Sequence, residues 1–400
     1  MSKLLSRIKE LSSQWHADTI DMRRYLHAHP ELSYQEVNTC KFIVSKLTEW
    51  GIPCEVLSVT GVMATIKGKN PSRKTTVLRS DHDALPIEEK NDVPFKSLNP
   101  GVSHMCGHDA HTACNLTAAR ILNELKDEWE GTIKLIYQLG EETVREDGTS
   151  GAGSMMIEGG LLNNRPASII AQHVNPGIPA GKVAVKPGNA MASVDMVCIS
   201  IKGKGGHGAM PHECIDPIMV AANIITALQQ IVSRKANPFQ PTVLSFGKIS
   251  GGEAFNVIPA EVELVGTLRA YDEPWRDEMI RIIPEMVAAV AAVAGATATC
   301  EMRKGPPHLK NDDALAERVY DASVAYMGEE NVLEAEAYMT GEDFAHYALE
   351  MPACFYWLGV RNEAAGITSG LHSDTMNIDE QVLEHGPGLM AWLAVNELQQ

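Results

Sequence analysis

Cys106-Gly107-His108-Asp109-Ala110-His111 packs a thiol, two imidazoles and a carboxylate into six residues, and Gly140-Glu141-Glu142 follows downstream with paired carboxylates. Metal-assisted hydrolysis needs this combination: donors that hold a divalent ion, and a carboxylate left over to take a proton from water. His173 and His372 add two isolated imidazoles. The candidate ligands are therefore Cys106, His108, Glu142, His173 and His372. Five donors exceed the usual set for one catalytic ion with a position open to water. Two divalent ions sharing a ligand or a water are the better count, and Mn, Zn, Co and Ni all accept such donors.

Taken singly, each residue has an ordinary explanation. A lone cysteine is usually a small buried hydrophobe, and a lone histidine a hydrogen-bonded one. Asp81 and Asp83 could cap a helix or solvate a turn; the functional alternative is that they orient a ligating imidazole through its second ring nitrogen. Asp109 and His111 carry the same two readings, with the orienting role preferred. The case for a metal site rests on convergence.

The elements that would position these donors follow from hydrophobic periodicity. Residues 1–29 have helical spacing, stopped by Pro30. Val62 to Lys67 and Thr75 to Arg79 read as strands, the second running into Ser80-Asp81-His82-Asp83. Ala110 to Leu125 reads as a helix, and Thr132 to Gln138 as a strand leading into the Glu pair. Ser168 to Gln172 reads as a strand ending at His173, and Ala353 to Leu358 as a late strand before the loop with His372. This alternation argues for an α/β domain with helices on both faces of its sheet. All the candidate donors outside the Cys106 stretch then fall just past strand C-termini, where open α/β sheets place their ligands.

The middle of the chain reads differently. Val194 to Lys202, Thr242 to Ile249, Glu261 to Tyr271 and Thr297 to Arg303 are strand-like, with helices at Asp216 to Arg234 and Pro274 to Ala294. The order β-α-β-β-α-β is the ferredoxin-like pattern. The expected division is a larger domain of residues 1–189 and 304–400, interrupted by a small inserted α+β domain of residues 190–303.

Composition narrows the function further. The 400 residues are 44% hydrophobic and 21% charged, with a net charge of -17, which argues against a nucleic-acid partner. The Ala-rich run Val287 to Ala294 is too short to span a bilayer, and the first residues do not read as a signal peptide, so a cytoplasmic location is expected. The eight cysteines show no CxxC or framework spacing and are expected as free thiols.

Several stretches resemble the M20 metallopeptidase superfamily, in its amidohydrolase branch, which includes hippurate hydrolases, N-acyl-amino-acid amidohydrolases and auxin-conjugate hydrolases. They are Arg24 to Ser33, Leu78-Arg79-Ser80-Asp81-His82-Asp83-Ala84-Leu85-Pro86-Ile87, His104 to Thr112, Gly203 to His212 and Asn256-Val257-Ile258-Pro259. Weaker segments at Gly140-Glu141-Glu142, Gly341 to Phe344 and Leu371-His372-Ser373 keep the expected order.

The resemblance implies a zinc-peptidase-like catalytic domain with a ferredoxin-like lid that serves dimerisation. It implies a dinuclear centre on the five ligands named, with Glu141 as general base and His207 as a lid histidine able to act across a dimer interface. Asn256 and Arg269 would hold the substrate carboxylate, for which a guanidinium fork is suited. The implied substrate is an N-acyl amino acid or short peptide, and the implied assembly a homodimer or homotetramer. Two departures stand out: His82 replaces the branch's usual Met, and Thr143 to Ser150 is polar and acidic where relatives are often Gly-rich. The alternatives are a metallo-carboxypeptidase or dipeptidase with the same chemistry, and a non-catalytic metal-binding protein of the same fold. A Ser-His-Asp hydrolase is disfavoured by the lack of a Gly-x-Ser-x-Gly elbow.

Overall fold

A computed structural model of the chain describes residues 2–145 and 148–400, so two residues of the Thr143 to Ser150 stretch lie outside the described ones. The chain divides into two compact units.

The first unit comprises residues 2–190, 310–336 and 346–400. Its centre is an eight-stranded mixed sheet, in spatial order Cys54–Leu57, Gly61–Lys67, Thr132–Gln138, Thr75–Asp81, Ser168–Pro179, Ala353–Arg361, Val183–Val185 and Val332–Glu334. The four neighbours from Thr132–Gln138 to Ala353–Arg361 run parallel, so their C-terminal ends open on the same edge. Asp81 lies opposite Gln138 and Arg79 opposite Ala171, which puts His173 level with Asp81 at that edge. Leu78, Leu135 and Ile170 join the main helical core, while their neighbours Val77, Ile136 and Ile169, on the other face, are also buried. Burial on both faces is why these strands read as continuous apolar runs.

The helix His108–Glu124 is buried along most of its length and packs against the C-terminal helix Gly386–Gln399. Leu116, Ile121 and Leu122 are fully buried, each stabilising by about 1.5–3 kcal/mol relative to exposure. Packing along the body thus anchors the helix and leaves its first turn to carry His108 and His111.

Two expectations are corrected. The periodic run at the N-terminus is two helices, Ser2–Gln14 and His16–Ala28. The break falls at Trp15, whose ring centre lies 3.3 Å from the Arg120 guanidinium carbon, a tertiary anchor that periodicity does not reveal. The strand expected to end at His173 continues to Pro179, because Ala353–Arg361 goes on pairing with it as far as Arg361 opposite Pro179.

The second unit comprises Met191–Leu309 and Ala337–Ala345. Its four-stranded antiparallel sheet has the order Thr242–Ser250, Glu261–Ala270, Asp195–Lys202, Thr297–Lys304, which is the ferredoxin-like arrangement. Helices Pro217–Gln230 and Glu273–Val293 supply Ile224, Leu228, Ile283 and Val287 to one core with Val197, Ile199, Ile201, Leu264 and Leu268. Each helix starts on an aspartate cap: Asp216 accepts from Ile218 N at 2.9 Å, and Asp272 from Trp275 N at 2.7 Å. No helix among the described residues is long and apolar enough to cross a membrane.

Candidate metal centre

Gly107 adopts φ +87° immediately before the helix His108–Glu124, and this left-handed residue turns Cys106 and His108 toward each other. A Cβ at Gly107 would also collide with Val174 Cγ2. Gly107→Ala should therefore lower the melting temperature, through roughly 1–2 kcal/mol for the left-handed backbone plus the collision. Calorimetry giving a loss no larger than the backbone cost would mean that Val174 yields, and an unchanged transition would refute both causes.

The five sequence-nominated donors converge. Donor atoms of Cys106, His108 and His173 lie within 4.8 Å of one another, as do those of Cys106, Glu142 and His372, so two triads share the Cys106 sulfur. His173 Nε2 is 3.6 Å from Cys106 Sγ, His372 Nε2 is 3.2 Å from Glu142 Oε1, and His108 Nε2 is 3.9 Å from the same oxygen. Glu141 joins His108 and Glu142 in a third group within the same 4.8 Å limit. His372 comes from a loop, with φ +61°, and its N–H donates to Met105 O at 2.7 Å, tying that loop to the Cys106 turn.

The outer nitrogens are already committed. His108 Nδ1 donates to Asp83 O at 2.9 Å, with Asp83 Oδ1 at 3.2 Å, and His173 Nδ1 donates to Val174 O at 2.8 Å. Both Nε2 atoms therefore face the cluster. Asp83 also accepts from the Glu142 main-chain N at 3.0 Å, so one carboxylate places two ligands. Asp81 accepts from His111 Nδ1 and from Arg79 Nη1, both at 2.6 Å. His111 Nε2 in turn accepts from Val174 N at 2.9 Å, so its imidazole has no lone pair to offer an ion and instead steadies the strand beside His173. Asp109 differs from the orienting role expected of it. Its carboxylate pairs with Arg23 Nε at 2.8 Å and His27 Nδ1 at 2.7 Å, and His27 Nε2 reaches Glu89 at 3.1 Å.

The electrostatics favour a cation. His108 Nε2 is buried without a hydrogen-bond partner, and the Glu142 Oε1 that faces it at 3.9 Å pairs instead with His372 Nε2. Burial works against charge on the His108 imidazole, yet Asp81, Asp83 and Glu142 outweigh it and push it up to about 10. Burial raises the Cys106 thiol well above its ordinary range, and Glu142, Glu141 and Asp81 raise it further. A thiolate among carboxylates needs a compensating positive charge. Soft sulfur, imidazole and carboxylate together suit a divalent transition ion.

His207, Asn256 and Arg269 lie in the second unit. His207 pairs with Val257 across two short strands, and Gly208 N donates to Asn256 O at 2.8 Å, so His207 and Asn256 are neighbours on an exposed loop pair. Arg269 stands on Glu261–Ala270 opposite Val243, between Leu268 and Ala270 of the helix-covered core, and so belongs to the other face of that sheet. Desolvation lowers its pKa, partly offset by Asp195.

His82 is buried with neither ring nitrogen hydrogen-bonded, and it joins none of the ligand groups among the described residues. Burial, only partly offset by Asp83 and Asp81, pushes it down to about 4. Arg79, Arg23 and His27 were not nominated by the sequence. They sit inside or beside quoted motifs; Arg79 pairs with Asp81 two residues on, whereas Arg23 and His27 meet Asp109 from a distant segment that no local pattern marks.

The chain belongs to the peptidase family M20/M25/M40, whose family model matches residues 77–396. It is 39% identical to an N-acetyl-L-cysteine deacetylase of Bacillus subtilis, over 91% of this chain and 84% of the relative. It is 37% identical to thermostable carboxypeptidase 2 of Saccharolobus solfataricus, over 99% and 98%. The crystal structure of Bacillus subtilis YXEP, described as a dinuclear metal binding peptidase from the M20 family, superposes with a TM-score of 0.82 at 35% identity, covering 96% of this chain and 99% of that one. The protein is a hydrolase of the M20 family that acts on amides.

Proposed function

We propose that the protein hydrolyses the amide bond of N-acyl amino acids, using two divalent ions on Cys106, His108, Glu142, His173 and His372. The observation that carries this reading is the pair of donor triads meeting at Cys106, with the Glu141 carboxylate beside them. Those five side chains would hold the ions, and the sulfur, imidazole and carboxylate donors suit divalent transition metals. When bound, such ions acidify water and polarise a carbonyl.

Glu141 takes a proton from the attacking water and returns it to the departing amine nitrogen, so the carboxylate ends as it began. Asp83 keeps the His108 and Glu142 donors in place throughout. Arg269 and Asn256 grip the substrate carboxylate, and His207 donates to the carbonyl oxygen as negative charge develops there. His207 would act across a homodimer or homotetramer interface, as the resemblance implies.

The carboxypeptidase relative supports a second reading, hydrolysis of short peptides by the same groups. A panel of N-acetyl and N-benzoyl amino acids and dipeptides separates the two, assayed after chelation and reloading with Mn, Zn, Co or Ni. The expected result is a kcat/KM for an N-acyl amino acid at least about tenfold above any dipeptide. The reverse order selects the peptidase reading, and no turnover of either class with any of the four metals ends the proposal.

A further inference from the structure

The motif ending at Ser33 takes no part in the chemistry above, yet it and the residues just beyond it touch the turns that carry the acidic groups. Ser33 Oγ donates to Asp83 Oδ2 at 2.7 Å, and Tyr34 OH donates to Thr143 O at 2.8 Å. Glu36 is fully buried. Its Oε1 accepts from Gly140 N at 2.9 Å and its Oε2 from Thr60 Oγ1 at 2.8 Å.

Gly140 comes just after the strand Thr132–Gln138, where the chain leaves the sheet ladder and its N–H needs a new partner. It has φ +55°, and a Cβ there would lie 2.5 Å from Tyr34 Cζ. Sterics from Tyr34 and the hydrogen bond that Gly140 N–H donates to Glu36 thus fix the backbone one residue before Glu141 and two before Glu142.

We propose that Glu36 is a positioning residue, whose contact with Gly140 N sets the direction in which the Glu141 and Glu142 carboxylates leave the turn. This rests on the roles given to those two residues above. Rotation about the Gly140–Glu141 link would swing both carboxylates together, so one distant side chain controls the proton acceptor and a ligand at once. Ser33, through Asp83, fixes the main chain of Glu142 from the other side. The short segment Ser33 to Glu36 therefore brackets the acidic turn.

Burial, and then the nearby Asp83 carboxylate, push Glu36 up to about 7. Neither protonation state breaks the bracket, since a proton on the oxygen facing Thr60 leaves Oε1 free to accept from Gly140. A glutamine has the same reach: its carbonyl oxygen meets Gly140 N–H, and its amide N–H meets Thr60 Oγ1. The conservative variant should therefore restore what alanine removes.

The test compares full-length wild type with Glu36→Gln, Glu36→Ala and Thr60→Val. All are loaded with Mn(II) and read by chelator competition for the metal, by kcat and KM on the best N-acyl substrate, and by melting temperature. Glu36→Ala should lower metal affinity and kcat each by roughly 10–100-fold, while KM stays within about twofold. Glu36→Gln should stay within about threefold of wild type in both, and Thr60→Val should fall between. Thr60→Val also carries the test if the alanine variant does not fold.

Wild-type metal affinity and kcat in Glu36→Ala, with only the melting temperature lowered, would overturn the proposal. So would a glutamine variant as impaired as alanine. A wild type that turns over no N-acyl substrate, with the chelator series as expected, removes the amidohydrolase reading and leaves Glu36 as the residue that places Glu142.

Discussion

Glu141→Ala lowers kcat on the best N-acyl amino acid by roughly 10²–10⁴-fold, the usual contribution of a general base, while elemental analysis finds the metal content of wild type. The asymmetry follows from the geometry. Glu142 lies in a group with Cys106 and His372 and in another with His108, and its main chain is held by Asp83. Glu141 groups with His108 and Glu142, but neither triad that meets at the sulfur needs it. Removing its carboxylate thus leaves the five-donor set whole and takes away the proton acceptor. Glu141→Gln should be as inactive as the alanine variant, because an amide keeps the shape and cannot accept the proton. Metal lost together with activity would make Glu141 a ligand, and near-normal turnover with metal retained would place the proton transfer on another group.

The parts of the site legible in the sequence were those in which one local element carries several donors. Cys106 and His108 announce themselves because a single glycine separates them at a helix start, and Glu141 and Glu142 because they follow a β-branched strand directly. The four-stranded sheet of the second unit was legible strand by strand, since a sheet with one covered face alternates cleanly: Val197, Ile199 and Ile201 are buried while Met196 and Lys202 are exposed.

Contacts between distant segments were not legible. Asp83 meets Glu142 N across 59 residues, and Glu36 meets Gly140 N across 104, and no local pattern encodes such pairs. The same limit hid the role of Asp109. Its position in the ligand turn suggested an imidazole to orient, but the turn presents it to Arg23 and His27 of a helix far earlier in the chain. His173 was found from its residue type and an expected strand end; the strand in fact runs on to Pro179, and it is the register with Thr75–Asp81 that sets His173 level with Asp81.

Removing the ions abolishes turnover and also loosens the fold. Without ions, Asp81, Asp83 and Glu142 favour a proton on His108, and burial with Glu142, Glu141 and Asp81 favours one on the Cys106 sulfur, so donors that would hold an ion hold protons instead. A divalent ion displaces those protons and binds the cluster in the folded state alone, because the unfolded chain separates its donors. Linkage then gives a stabilisation of about 2.7 kcal/mol for each ion at metal a hundredfold above its Kd, so two ions raise the melting temperature by on the order of 5–10 °C for a unit of this size. Chelated wild type should melt lower by that amount and regain both stability and activity on reloading. His108→Ala supplies the control: added metal should raise its melting temperature much less, because the triad with Cys106 and His173 loses an imidazole. Chelated protein that keeps its activity and its melting curve would show that the donors meet above the sheet for some purpose other than holding cations.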